Sequence, residues 1–415
     1  MYNLFVIPRL PSDELSFASL CSGECGVSGT IGSMFLVMNG LKKRGHDIRA
    51  WIVSGQRLLQ TEFPVYYNKK DALRDRPSKV IQTMWDNDEI LFELNAVGIA
   101  PWLWTHVHVS SDVLKQLNED RYSALITVSD TARLTSLHVK RNKSIARVYN
   151  PLNDFWYSEK ENSDRRYENR YVAFSGFIGE SKGAHRVLMV WPYVRKALPN
   201  ARLFVIGGQQ LYQDHLKTGR FGIAMPEFEE KYLAPIVDEF GNFDKAGIEF
   251  TGVLSPLEMR TLYKKCSLGV ANLNMVEFTE TFCCSAVEML STEMPVLSVA
   301  AGALPETIGR SGGAVLLDNN GPEQVAYHIV KHLRDPLTLA KMGRSGREYV
   351  VDNYNVDRII DCWERILSAQ NSELQKHCGR WMGPRTIRYY IERALRKTRM
   401  GDDAFSFVRK MRDCI

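Results

Sequence analysis

The sequence predicts an α/β protein built as two consecutive Rossmann-like, doubly wound domains facing a central cleft. Three observations carry this. Apolar strand-like runs alternate with amphipathic helix-like stretches through most of the 415 residues. At the N-terminus the order is strand, loop, helix, strand, which lays the strands parallel. Between Asn150 and Arg170 both periodicities lapse, and the alternation then restarts. We therefore divide the chain into a Rossmann-like domain over 1–160, a second over 161–355, and C-terminal helices with a basic tail over 356–415, the last able to cross back to the first domain.

In chain order, "YNLFVIP" is the first strand. The loop "GECGVSGTIG" follows, with glycines at 23, 26, 29 and 32, then a helix from "GSMFLVMNGLKKRGHD" and the strand "IRAWIVSG". "PWLWTHVHV" and "SALITVS" continue the first sheet. The polar "NPLNDFWYSEKENSDRRYENR" reads as an interdomain linker. The second sheet takes "RYVAFSGF", "ARLFVIGG", "GIEFTGV", "SLGVANL" and "PVLSVA", with "GAHRVLMVWPYVRKAL" a helix despite Pro192.

Composition narrows the function. With 45% hydrophobic and 24% charged residues the chain is of globular type, and no apolar run approaches the ~18 residues of a membrane span. "MYNLFVIPRLPSDEL" reads as a strand rather than a signal peptide, so a cytoplasmic protein is expected. The eight cysteines, at 21, 25, 266, 283, 284, 362, 378 and 414, form no C-x-x-C pair, which favours reduced thiols over a zinc site. Of the net charge of +5, residues 371–415 hold +6, from eleven Lys and Arg against five acids, leaving −1 for the rest. The tail segment "RTIRYYIERALRKTRM" places Ile387, Ile391 and Leu395 at helical spacing. It fits an anionic membrane surface and a helix packed on the first domain alike. There is no basic-aromatic stripe of the kind that binds nucleic acid.

Several motifs carry chemistry. The glycine loop lies between a strand and a helix, where backbone N–H groups can meet an anion. Its spacing is not G-x-G-x-x-G, and a flexible turn fits it equally. Asp86 and Asp88 form an Asp-x-Asp pair. No further oxygen ligands accompany it, so no metal is expected. His106 and His108 end an apolar strand on one face, where an imidazole could orient a substrate. In "SGFIGESKGAHRV", Lys182 stands just before a helix, a poor place for a cation unless an anion sits there. In "EFTETFCCSAVEML" the loop holds Glu280, and the following helix holds Glu288 and offers the amides of Cys283, Cys284 and Ser285 to a phosphate. "AAGALPE" could add Gly302 and further amides.

Here the residues resemble a known family. "ETFCCSAVE" (Glu280–Glu288) is similar to the two-glutamate signature of glycosyltransferase family 4, the retaining glycosyltransferases of GT-B fold. "GVLSPLEMRTLYKKCSLGVAN" and "PVLSVAAGALPETIGRSGGAVLL" resemble the stretches before and after it. "DPLTLAKMGRSGREYVVDNYNVDRI" looks like the family's C-terminal helices, and the first strand, glycine loop and "KRGHDIRAW" like its opening. The likeness is good over about 170–365 and thinner over 1–150.

The resemblance implies a GT-B fold with an acceptor-side first domain and a nucleotide-sugar donor domain second. It implies transfer of a sugar from a UDP- or GDP-sugar to a hydroxyl acceptor, with retention of configuration and without a metal cofactor, in polysaccharide, glycolipid or glycan synthesis. Glu280 would contact the donor sugar, Glu288 the ribose and Lys182 the diphosphate, with His106 or His108 near the reacting centre. Gly29, Gly176, Gly207, Gly252, Phe282, Cys283, Cys284 and Ser285 complete the donor side. Phe177 stands where the family often has arginine, with Arg186 one helical turn beyond Lys182 placed to compensate. Cys283 and Glu293 stand where it often has glycine. The rival readings are a nucleotide-sugar epimerase, a sugar phosphorylase and a non-catalytic nucleotide-sugar binder.

Overall fold

The computed structural model describes residues 2–83, 88–134, 144–159, 164–208, 217–275 and 280–369, all within one compact unit spanning Met1–His377. Asp86, Glu277 and the basic tail lie outside the described residues. The strands, numbered along the chain, are β1 (Asn3–Ile7), β2 (Glu14–Ser16), β3 (Ile48–Ile52), β4 (Arg57–Leu59), β5 (Val65–Tyr66), β6 (Lys79–Thr83), β7 (Trp102–Thr105), β8 (Ala124–Thr127), β9 (Ser144–Arg147), β10 (Tyr171–Ser175), β11 (Arg202–Ile206), β12 (Ile248–Gly252), β13 (Leu268–Val270), β14 (Val296–Val299) and β15 (Ala314–Leu317).

They form two wholly parallel sheets, ordered β5-β3-β1-β6-β7-β8-β9 and β12-β11-β10-β13-β14-β15, with β2 and β4 paired apart. In each sheet the chain works outward from its first strand, then returns to that strand's other side. The strand order thus reverses between β1 and β6 and between β10 and β13, and crevices open beyond the carboxyl ends of such strands. All four residues of β7, β8 and β14 are buried, because helices cover both faces and turn a parallel strand into a continuous apolar run. Leu4 and Val6 of β1 pack with Trp51, Ile90 and Leu94 on one face. Leu103 and Leu125 pack with Val113, Leu117 and Tyr122.

The segment 150–170 is less of a free linker than its polarity suggests. Trp156, Arg166 and Tyr167 are buried. Arg166 donates to the carbonyls of Thr292 (2.6 Å) and Glu293, and the Tyr167 hydroxyl to that of Glu293 (2.7 Å). A charged side chain there turns its terminal nitrogens to main-chain acceptors.

The chain passes between the sheets twice, and the two passages are bonded together. Leu152 donates its amide to the Tyr354 carbonyl at 2.6 Å and forms a bridge with Asn355. The helix Val356–Ser368 then lies on the helix Gly29–Lys43 of the first domain. A Cβ on Gly40 would stand 2.5 Å from Ile360. Trp363 packs edge-on against Trp104 at 4.7 Å. Arg44 pairs with Asp357, Asp361 and Glu364.

Candidate active site at the carboxyl edge of the second sheet

At the β10/β13 reversal two loops meet. Beyond β10, Gly176 has φ +146°, and the Phe177 ring folds over Gly179, where a Cβ would lie 2.3 Å from it. Phe177 thus fills its own loop. The 3₁₀ turn Glu180–Lys182 follows and ends in Gly183 at φ +77°, and the helix Ala184–Ala197 begins one residue later. Gly183 leaves room for the other loop, since its Cβ would meet the Leu273 backbone at 2.8 Å. Glu180 braces this turn by accepting from the Tyr232 hydroxyl and from Lys231 Nζ at 3.0 Å.

From the β13 side comes Glu280. Its Oε2 accepts from Lys182 Nζ at 2.8 Å and from Asn272 Nδ2 at 3.1 Å, and its carbonyl accepts from the Ala303 amide at 2.9 Å. The last bond ties the "AAGALPE" loop to the signature, with Gly302 at φ +55°. Arg186, one turn along the helix, is half-buried. Its Nε is buried, and the guanidinium has no ion pair or hydrogen-bond partner among the described residues. Gly176, Gly207 and Gly252 end three neighbouring strands. Gly176 donates to the Ile206 carbonyl (3.0 Å) and Gly207 to that of Gly252 (2.9 Å). At Gly207, with φ +121°, a Cβ would lie 2.2 Å from the Gly176 oxygen.

The signature helix runs Cys284–Ser291, with Cys283 as its N-cap in the left-handed region at φ +70°. The amides of Cys284 and Ser285 open its first turn, where no helical acceptor exists for them. The Cys283 thiol packs 3.7 Å from the Ser285 hydroxyl. The six cysteines among the described residues are free, and burial pushes the Cys283 thiol up to about 12. The Cys283 thiol is therefore neutral at physiological pH. Cys283→Gly is expected to melt within a few degrees of the native protein, and Cys283→Val to lose about 2 kcal/mol, because a β-branched residue is strained at positive φ. Thermal unfolding of the two variants checks this.

Glu288, in the second turn, looks into a cavity of about 90 Å³ shared with Gly29, Trp156, Pro256, Phe282 and Cys284. Its carboxyl, desolvated among apolar side chains, is pushed up to about 7. The glycine loop of the first domain forms the opposite wall. Gly23 accepts from the Leu257 amide (3.1 Å), and a Cβ on Gly29 would lie 3.0 Å from Cys284 Sγ.

Sequence periodicity expected His106 and His108 on a strand face; in the structure β7 ends at Thr105 and both lie in the loop beyond. The Thr105 hydroxyl bonds both main-chain groups of Val107 and turns the chain out of the sheet. Both histidines still reach the site. The His106 carbonyl accepts from the Thr281 hydroxyl, and its ring packs on Trp104 at 4.7 Å. Burial pushes His106 down to about 3. Burial also lowers His108, opposed by the charge of Glu280. Both imidazoles are neutral near pH 7. Asp88 is engaged by Gln116 at 2.7 Å. Among the described residues, no group of three or more His, Cys, Asp and Glu is disposed to hold a metal, and no helix is long and apolar enough to cross a membrane.

Two residues at this edge carried no sequence signal. Asn272 is the second donor to Glu280. Glu306, half-buried across the cleft, accepts from the amides of Asp130 (2.7 Å) and Thr131 (2.8 Å) and the hydroxyls of Thr131 (2.8 Å) and Tyr149 (3.0 Å). Beside it the rings of Tyr149, Phe282 and Tyr354 pack together at 5.1–6.0 Å.

Two parallel α/β domains whose loops converge on one cleft define the GT-B glycosyltransferase fold, and solved structures share it. Anabaena HepE in complex with UDP superposes with a TM-score of 0.63 at 13% identity, covering 89% of this chain and 100% of that one. Sucrose-phosphate synthase from Thermosynechococcus elongatus gives 0.63 at 15%, with the same coverage. WaaG, described as a glycosyltransferase involved in lipopolysaccharide biosynthesis, gives 0.57 at 12%, again with the same coverage.

Residues 158–349 match the family described as glycosyl transferases group 1. D-inositol 3-phosphate glycosyltransferase of Segniliparus rotundus is 26% identical over 175 residues, 42% of this chain. The match spans about a third, 34%, of that relative's length.

Proposed function

We propose that this protein moves a glycosyl unit from a nucleoside-diphosphate sugar to a hydroxyl acceptor with retention of configuration, and that it belongs to glycosyltransferase family 4. The observation that carries this is the Lys182–Glu280 pair, 2.8 Å apart at the strand reversal, with an open helix start beside it and Arg186, which has no partner among the described residues, one helical turn along. Lys182, Arg186 and the amides of Cys284 and Ser285 receive the diphosphate, Glu280 a hydroxyl of the donor sugar and Glu288 the ribose. Gly176, Gly207 and Gly252 let the backbone approach the nucleotide closely. Arg186 supplies the cation that Phe177 does not.

In the reaction the bond from the anomeric carbon to the diphosphate breaks and a bond to the acceptor oxygen forms on the same face. The acceptor proton passes to the departing phosphate oxygen. Charge grows on that phosphate, and preorganised cations and amides stabilise it there. We assign His108 to the reacting centre, because it feels the Glu280 charge while its ring stays neutral. Charge neutralisation falls to protein groups, so EDTA is expected to leave turnover unchanged. The acceptor is a glycan, a glycolipid or another hydroxyl compound.

HepE is known in complex with UDP and with UDP-glucose, which favours a UDP-sugar here. A panel of UDP-glucose, UDP-N-acetylglucosamine and GDP-mannose, scored by thermal shift and then by product analysis, tests the reading. Stabilisation by one donor and release of its nucleoside diphosphate are expected. Interconversion of donor sugars without an acceptor would instead identify an epimerase. Binding without release or transfer would identify a non-catalytic binder.

A further inference from the structure

The catalytic-edge glutamate is held by a side chain to which no role has been given. Asn272 follows β13 by two residues and is 3% exposed. Its Oδ1 accepts from the Asn274 amide at 2.9 Å, and its carbonyl accepts from the Ser298 hydroxyl on β14 at 2.8 Å. The first of these bonds fixes which way the amide faces. A main-chain N–H demands an acceptor, so the oxygen turns toward Asn274 and the NH₂ must face the opposite way. There it meets Glu280 Oε2 at 3.1 Å.

Lys182 donates to the same oxygen at 2.8 Å, so Oε2 holds both donors, and Oε1 has no partner among the described residues. Lys182 alone would hold the carboxylate weakly, because its flexible ammonium accepts many geometries and must also serve a phosphate. Asn272 is different. It is neutral, is tied to β14 through its own carbonyl, and turns its NH₂ toward Glu280.

We infer that Asn272 is a positioning residue that locks the Glu280 carboxylate with Oε2 inward and Oε1 presented to a hydroxyl of the donor sugar. This rests on the reading of Glu280 as a donor-sugar contact. The consequence is specific to the sugar. A free nucleoside diphosphate does not use Oε1, so it is blind to the lock, whereas a sugar nucleotide is not. A second carboxylate in place of Asn272 would set two acids against each other and force the pair to share a proton.

The test measures, in the full-length chain, the affinity for UDP-glucose, UDP-N-acetylglucosamine and GDP-mannose beside UDP and GDP, together with donor turnover. Asn272→Ala is expected to lower turnover about tenfold and to leave nucleoside diphosphate affinity within about twofold. In a Glu280→Ala background the same change should alter turnover by less than about twofold, because the two residues act as one unit. Asn272→Asp keeps the shape and the bond from Asn274, and should move the acid limb of the pH–rate profile up by about one unit.

The inference is overturned if Asn272→Ala lowers diphosphate affinity and turnover by the same factor, or if its effect persists undiminished in the Glu280→Ala background. An unshifted acid limb in Asn272→Asp overturns it too, even should the alanine variant fail to fold. If Glu280→Ala turns over normally, it is the donor-sugar reading of Glu280 that falls. If Glu280→Ala is impaired and Asn272→Ala is not, only the role of Asn272 falls.

Discussion

Lys182→Ala is expected to slow glycosyl transfer by about a hundredfold or more, the loss typical when a fixed donor to a developing oxyanion is removed. The ammonium sits on a 3₁₀ turn braced by Glu180 and meets Glu280 at 2.8 Å. Truncation therefore strips the departing phosphate of its nearest cation and leaves the Glu280 carboxylate facing it without a counter-charge. The two effects add in the transition state, where the phosphate is most negative. Lys182→Arg should recover part of the rate, because charge survives while the single-point geometry does not. Arg186→Ala should lose less, about tenfold, since its guanidinium lies one turn farther along the helix. Single-turnover measurement separates this loss from slow release of product. Near-normal turnover in Lys182→Ala would remove the diphosphate site from this edge.

The second large effect is on pH dependence. The Glu288 carboxyl, ordinarily near 4.5, is pushed up to about 7 by burial in the cleft. Between those values the folded protein keeps a proton that the unfolded chain has released. Stability from this group is therefore complete below about pH 4.5 and is lost as the pH rises through about 7. Glu288→Gln has the same shape without the charge. It is expected to melt several degrees above the native protein at about pH 8, with the difference vanishing near pH 4.5. Function should move the opposite way. A carboxylate accepts two ribose hydroxyls, whereas a protonated carboxyl does so poorly, so the native KM for donor should rise as the pH falls below about 7. In Glu288→Gln it should be flat. A melting difference independent of pH would show that the carboxyl is not desolvated as described.

The strands most legible in the sequence were those covered on both faces, such as β1, β7, β8, β10 and β14, because burial makes them unbroken apolar runs. β6 was not read, although it lies beside β1 at the middle of its sheet. It carries Gln82 and Thr83, both fully buried polar side chains, which broke the apolar pattern. The edge strands β5 and β9 were too short or too polar to register. The polar composition of 150–170 gave no sign that its Arg166 finds main-chain acceptors about 126 positions away.

At the site, the spacing of Glu280 and Glu288 and the placing of Lys182 before a helix were readable because each depends on local structure. The pairing of Lys182 with Glu280 spans 98 positions, and that of Glu306 with Thr131 spans 175. Such contacts follow from how loops converge at a strand reversal, which periodicity does not encode. The two glycine departures read from the sequence, Cys283 and Glu293, do share a physical trait. Both adopt positive φ, +70° and +60°.

The bonded passages at Leu152 and Tyr354–Asn355 have a mechanical meaning. Two chain crossings set far apart would clamp the sheets together, and a single crossing would let them swing like beads on a string. Two crossings laced side by side behave as a door hinge: they suppress sliding and leave one easy axis of rotation. On such a hinge, a change in the distance between the first domain's glycine loop and the signature helix would be chiefly a change of angle.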